Sequence, residues 1–341
     1  MIRLAQIGAG YWGRHLLRNF LEAEGAQVTM VCDHNPAALA AVAKRHPELL
    51  CCREPREVLA AAELAAVAIA TPPDSHFALA RQALAAGLHV FVEKPLALSV
   101  RECEMLVELA HAQQRVLMVG HTFLYDAAVQ RIKGYLQEGL AGELYYITSR
   151  RLNLGIVRRE VDAMWNLAPH DLAILLHWLN EAPVAIAVHG NAYLQPGIVD
   201  VAFLHLRFAS GIAAHIQVSW LDPNKVRQMT IVGAHKMIVY DDVHPDHKIQ
   251  LFDKGITRQN LAAHLGEFDT FGAFQLIRRA GDLLIPKFEA GEPLKAQCQH
   301  FIDCIRLKQR PLSDGENGLA VVRILAAGSR SLQRGGECVP I

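Results

Sequence analysis

Neither sign of charge is in excess in this chain. Its 34 lysines and arginines match 34 aspartates and glutamates, giving a formal net charge of zero. Such a chain has no global field to draw in DNA or an anionic bilayer, which excludes a general nucleic-acid or membrane-surface role. Long apolar runs are absent too. The longest are short, such as LAAVAIA at 64–70, against the roughly 18 residues of a membrane span. The start, MIRLAQIGAG, has no cleavable signal pattern. There is no C-x-x-C, and the seven cysteines, among them the adjacent Cys51 and Cys52, suggest neither a disulfide framework nor a zinc site. These absences predict a soluble protein of the reducing cytoplasm, with no metal and no nucleic-acid or membrane partner.

What is present is apolar material. Hydrophobic residues make up 52% and charged residues 20% of the chain, which excludes disorder. At about 150 residues per domain, the length suggests two domains. Short apolar runs at 2–7, 27–32, 65–70, 89–92 and 116–119 read as buried strands. Helical patterns at 12–23, 36–46, 74–86 and 99–112 separate them, with Ser99 and Glu102 spaced as a capping box. Strand alternating with helix predicts an α/β, doubly wound parallel sheet. After Gly120 the rhythm changes. A helix at 126–137, a strand at 144–153 and an apolar helix at 165–179 precede several strand-like runs in succession between 184 and 252. That order predicts an α+β domain on an open, mostly antiparallel sheet. Helices near 293–307 and 315–332 close the chain. The expected boundary is at residue 121, giving domains 1–121 and 122–341. The stretch 254–292 reads as a long surface loop or lid.

The strongest motif is Gly8-Ala9-Gly10-Tyr11-Trp12-Gly13. It follows a strand and opens a helix, the context in which G-x-G-x-x-G binds a dinucleotide. Gly8 allows the tight turn, Gly10 the approach of a pyrophosphate and Gly13 close helix–strand packing. The phosphates would sit at the helix N-terminus. Asp33, twenty positions after Gly13, ends the second strand. Its carboxylate can accept from the adenosine ribose hydroxyls and would repel a 2′-phosphate, so NAD is favoured over NADP; the basic Arg14 and His34 nearby would soften that preference. A flavodoxin-like turn with no dinucleotide is the alternative.

Thr71-Pro72-Pro73 and Glu93-Lys94-Pro95 each follow a strand, at the carboxyl edge where ligands of open parallel sheets bind. Proline after Lys94 restricts its backbone and allows a cis bond. A lysine fixed there can hydrogen-bond a substrate hydroxyl and stabilise a developing alkoxide. Its alternative is a surface lysine paired with Glu93. In Trp165-Asn166-Leu167-Ala168-Pro169-His170-Asp171, Asn166 and His170 would share a helix face. An imidazole and an amide so placed can take a proton from a hydroxyl and orient it. Pro169 predicts that this helix starts or kinks there, with Asp171 in its first turn. A structural histidine is the competing reading of His170.

Gly8–Gly13, Thr71-Pro72, Glu93-Lys94-Pro95, the later histidine and Gly120-His121-Thr122-Phe123-Leu124-Tyr125-Asp126 together resemble the glucose–fructose oxidoreductase/inositol dehydrogenase (Gfo/Idh/MocA) family over nearly the whole chain. The resemblance implies an NAD-dependent dehydrogenase acting on a secondary hydroxyl of a sugar or sugar nucleotide. Lys94 matches the family's catalytic lysine and His170 its histidine. Asn166 stands where many members have Asp, Ala168 where they have Gly, and Ala173 where a second Asp is common. Asparagine there is similar to the members that oxidise C3 of UDP-linked N-acetylhexosamines or their uronates. The expected cofactor set is Gly8, Gly10, Tyr11, Trp12, Gly13, Asp33, Thr71, Pro72, His76, Glu93 and Lys94. The expected substrate set is Tyr125, Arg150, Arg151, Asn166 and His170, with Arg158 and Arg159 as further guanidinium groups suited to phosphate. The alternatives are a sugar-ketone reductase using NADH or NADPH, and a dinucleotide-sensing protein without chemistry. An apolar open sheet face predicts a homodimer or homotetramer. The turn Asp241-Asp242-Val243-His244-Pro245-Asp246-His247 has metal-ligand residue types but reads as solvated.

Overall fold

The computed structural model describes residues 1–155, 157, 161–255 and 279–341. Arg158, Arg159 and most of 254–292 lie outside the described residues. The chain forms two compact units, Met1–Asp126 with Gly291–Ala326, and Ala127–Ala290 with Ala327–Ile341.

The first unit opens as β1 (Ile2–Ile7), α1 (Tyr11–Leu21), β2 (Ala26–Cys32), α2 (Pro36–Arg45), β3 (Leu50–Cys52), α3 (Pro55–Leu59), β4 (Ala66–Ile69), α4 (His76–Ala85), β5 (His89–Val92), α5 (Val100–Ala112) and β6 (Leu117–Val119). The strands pair in the order β3-β2-β1-β4-β5-β6, and every pairing is parallel. This is the dinucleotide-binding order, with its switch point between β1 and β4. Strands β4 to β6 read as continuous apolar runs because helices cover both faces of a parallel sheet. Ser99 caps α5, its Oγ accepting from Glu102 N at 3.2 Å.

The second unit continues with α6 (Ala127–Gln137), β7 (Leu144–Leu154), α7 (Ala163–Leu179), β8 (Pro183–Asn191), β9 (Val201–Phe208), β10 (Ala213–Ser219), β11 (Leu221–Gly233), β12 (Met237–Asp241), β13 (Ile249–Gly255) and β14 (Arg279–Leu284). With the short β15 (Val339–Pro340) they form one sheet, in the order β14-β13-β12-β11-β7-β10-β9-β8-β15. Only the β10–β7 pairing is parallel among the described strands. The sheet is therefore open and mostly antiparallel, as expected. Strand β14 occupies part of the stretch read as a loop. Helix α7 covers one face, where Ile147, Ser149 and Arg151 are buried. On the opposite face a register row runs Leu283, Phe252, Met237, Val232, Tyr146, Ala213 and Arg207.

At Gly291 the chain returns to the first unit with α8 (Pro293–Leu307) and the early turns of α9 (Gly315–Gln333). Residues 122–126 and Gly291–Ala326, expected in the second domain, group with the first unit. The reason is packing. Phe301 of α8 meets Phe20 of α1 and Phe91 of β5 edge-on, with centroids 6.0 and 5.8 Å apart, and all three rings are fully buried.

Candidate active site

The glycine loop joins β1 to α1. Gly8 has φ +99°, and a Cβ there would lie 2.4 Å from the Ala70 carbonyl oxygen. A Cβ on Gly13 would lie 2.3 Å from the Gly8 carbonyl oxygen, so α1 packs directly on the turn. Nothing lies within 4 Å of a Cβ built on Gly10, leaving room for a phosphate over the backbone. The buried Gln6 amide donates to the carbonyls of Gly8 at 2.7 Å and Gly13 at 2.8 Å. Gly10 caps α1 with no side-chain acceptor, so the first-turn N–H groups face an anion site. Asp33, at the end of β2, accepts from Ala9 N at 2.7 Å and Asn35 N at 2.8 Å. Each carboxylate oxygen keeps further lone pairs for ribose hydroxyls. Loop and carboxylate fit an adenine dinucleotide.

Beyond β4, the Thr71 hydroxyl lies 2.6 Å from Ser75 Oγ. His76, expected among the cofactor contacts, is buried instead. Its Nδ1 lies 2.8 Å from the Pro95 carbonyl oxygen and its Nε2 2.9 Å from that of Thr71. It ties the ends of β4 and β5 together. The Lys94–Pro95 peptide is cis. Glu93 is buried, and burial raises its carboxyl pKa to about 7 against the opposing effects of Trp12 and Lys94.

Sequence reasoning missed His121 and Asn317 at this edge. His121 directly follows Gly120 after β6, and its Nδ1 lies 2.7 Å from Asn317 Oδ1. Burial, with Lys94 nearby, lowers its pKa to about 4. The available signal was a histidine at the carboxyl end of a fully apolar strand. Tyr125, expected to reach the substrate, instead sets its hydroxyl 3.0 Å from Ser313 Oγ and its ring against His300; it packs.

In the second unit, α7 begins at Asp162, whose Oδ1 accepts from Trp165 N at 2.8 Å. The helix runs through Pro169 without ending, so it starts before that residue and not at it. Asn166 and His170 lie one turn apart on it, both half-buried. Trp220 Nε1 donates to Asn166 Oδ1 at 3.4 Å. Asp171 is therefore mid-helix, and it binds Arg151 bidentately at 2.8 and 3.0 Å in the interior. Arg151, expected in the substrate set, is thus paired with a helix residue of its own unit. Arg150, its neighbour on β7, is exposed, and strand alternation puts it on the face opposite α7, away from Asn166 and His170. In the 241–247 turn, His244 Nδ1 accepts from Asp246 N and His247 N, and Asp242 pairs with Arg227 and Lys248.

Comparison with known proteins bears on both units. Residues 2–121 match the model of the GFO/IDH/MocA oxidoreductase family, NAD-binding Rossmann fold, and residues 129–239 match the GFO/IDH/MocA C-terminal domain. UDP-N-acetylglucosamine 3-dehydrogenase of Acidithiobacillus ferrooxidans is 31% identical over 231 residues, covering 67% of this chain and 71% of that protein. The chain belongs to the GFO/IDH/MocA family. As a member it is an NAD-dependent oxidoreductase. The NAD-dependent scyllo-inositol 2-dehydrogenase of Bacillus subtilis is 24% identical over 98% of this chain and 95% of its own. The WlbA dehydrogenase of Bordetella pertussis, solved with NADH and UDP-GlcNAcA, shares the fold at TM-score 0.78 and 21% identity, over 100% of this chain and 98% of its own. No helix of the described residues is long and apolar enough to cross a membrane.

Two results are expected from this geometry. The Asp33 carboxylate, fixed by Ala9 and Asn35, would face a 2′-phosphate. NAD should therefore bind more tightly than NADP, and Asp33→Ser should narrow the gap. Titration of both cofactors checks this, and equal wild-type affinities would refute it. The second result concerns pH. Burial lowers the pKa values of His89, His121 and His177 to about 4, from roughly 6.5 in an unfolded chain. Between those values the unfolded state takes up protons that the folded state refuses, so stability falls as pH falls. Glu93 and Asp162, raised by burial, act with the opposite sign, while burial lowers His76 and His300 in the same direction as those three. The melting temperature should drop from pH 6.5 to 4 in a calorimetric series. A flat profile over that window would contradict it.

Proposed function

We propose that this family member oxidises a secondary hydroxyl of a sugar nucleotide, at C3 of a UDP-N-acetylhexosamine or its uronate. The observation that carries the reading is the Asn166–His170 pair, one turn apart on the same helix, with asparagine where an acid is common. The names of the Acidithiobacillus and Bordetella relatives support the same substrate class. When bound, NAD supplies the hydride acceptor. His170 takes the hydroxyl proton, Asn166 orients the hydroxyl or the imidazole, and Lys94 polarises the oxygen and stabilises its growing negative charge. A cytoplasmic location and self-association go with this reading. Tyr146 and Phe203 are 43% and 48% exposed on the open sheet face, a surface suited to a second copy.

Free polyols are the second reading, favoured by the near full-length match to the scyllo-inositol enzyme. Calorimetry on the NAD-loaded protein separates the two. Heat with UDP-N-acetylglucosamine or its uronate, in competition with UDP and with none for myo-inositol or glucose, is the expected result. Tight binding of a polyol, with none for any UDP-sugar, would overturn the proposal.

A further inference from the structure

Trp12 belongs to the glycine loop by sequence, yet its side chain reaches the end of β5. Its indole Nε1 donates to Glu93 Oε1 at 2.6 Å, across 81 positions of sequence. The other carboxylate oxygen, Oε2, is 3.3 Å from Lys94 N. The carboxylate lies on Gly120, where an added Cβ would come within 2.6 Å of Oε2. It therefore fills the space that any side chain at position 120 would need. Trp12 itself is 41% exposed and sits in the first turn of α1, the turn that receives phosphates.

We propose that Trp12 is a positioning residue: its indole N–H holds the Glu93 carboxylate against Gly120 and beside Lys94, so that the loop binding the dinucleotide also sets the charge next to the catalytic lysine. This rests on the role given to Lys94 above. The groups that face Glu93 are few. Lys94 on its own strand end supplies a positive charge and Trp12 from α1 a neutral donor. His121, which follows Gly120 beyond β6, is kept neutral by burial. The thiol of Cys298 on α8 is held well above its usual range, by burial first and by Glu93 next. Among the described residues the carboxylate accepts hydrogen bonds from Trp12 and the Lys94 backbone. A buried carboxylate with so few donors is poised near neutrality, and a donated hydrogen bond favours its charged form. Without the indole, Glu93 takes up a proton at neutral pH and Lys94 loses its negative neighbour.

Two measurements test this. The first needs no substrate. The chain has four tryptophans, and Trp12→Phe identifies the Trp12 indole N–H resonance by its loss. That resonance should shift with pH around a midpoint near 7, and the shift should vanish in Glu93→Gln. A resonance that does not move between pH 5 and 9, or that moves unchanged in Glu93→Gln, overturns the proposal whatever the enzyme's substrate. The second is kinetic. Trp12→Phe should move the acid limb of the kcat profile upward by roughly one to two pH units, the size of one hydrogen bond to a charged group. In a Glu93→Gln background the same change should move nothing further. A rise in KM for NAD that is uniform with pH, with the acid limb in place, would reduce Trp12 to a cofactor contact and refute the positioning role. A resonance that titrates while no NAD-dependent turnover is found with any sugar would leave the Trp12–Glu93 contact standing and remove the catalytic reading of Lys94.

Discussion

Lys94→Met is expected to lower kcat by roughly 10²-fold or more, and His170→Ala by a similar factor. On the proposed mechanism, the first removes a positive charge that steadies a developing alkoxide, and the second removes a proton acceptor. Both effects belong to the transition state, so they should show in kcat more than in substrate affinity. NAD affinity should change far less, because the adenosine half is held by the glycine loop and Asp33. Steady-state kinetics with a turned-over UDP-sugar, beside direct NAD titration, makes the comparison. Near-normal turnover in Lys94→Met would remove that residue from the mechanism.

The second large effect concerns stability. Arg151 and Asp171 are 4% and 2% exposed and joined by two hydrogen bonds. Removing one partner of such a pair strands a buried charge, at a cost of about 3–5 kcal/mol. Arg151→Met and Asp171→Asn should each lower the urea midpoint accordingly. Replacing both with apolar residues, Arg151→Met with Asp171→Leu, should recover most of the loss, because the cost lies in the orphaned charge and not in the missing attraction. Single variants within 1 kcal/mol of wild type, by urea unfolding, would show that water or a neighbour compensates the charge.

Asp171 also marks a limit of the sequence. Its position two residues after Pro169 suggested a helix start, but α7 starts earlier, at the Asp162 cap, and its tertiary packing outweighs the hydrogen bond lost at Pro169. Strand alternation puts Arg150 and Arg151 on two faces. It could not say that the buried one already had a partner, since that partner lies 20 positions away on a helix. The first five apolar runs were legible because a sheet covered on both faces leaves unbroken hydrophobic strands. Strand β3, three residues long and partly exposed, carries no such run and went unseen. The return of α8 to the first unit was hidden for another reason: Phe301 finds Phe20 and Phe91 at sequence distances that no local pattern reports. At the candidate site, the residues with motif context, Gly8 to Gly13, Asp33 and Glu93-Lys94, stand at the carboxyl edge of the first sheet. His76 and Tyr125 lie near that edge too, but each is engaged with protein atoms. Burial decides between those outcomes, and spacing does not encode it.

The two hydrogen bonds from Gln6 to Gly8 and Gly13 have a thermodynamic meaning. A loop of small residues would ordinarily sample many conformations and surrender that freedom on meeting its ligand. Here one amide, locked inside the sheet, clamps both ends of the turn when the chain folds. The disorder is lost at folding rather than at binding, so the dinucleotide meets a rigid surface. More of its contact energy then appears as affinity, and its capture needs no loop closure.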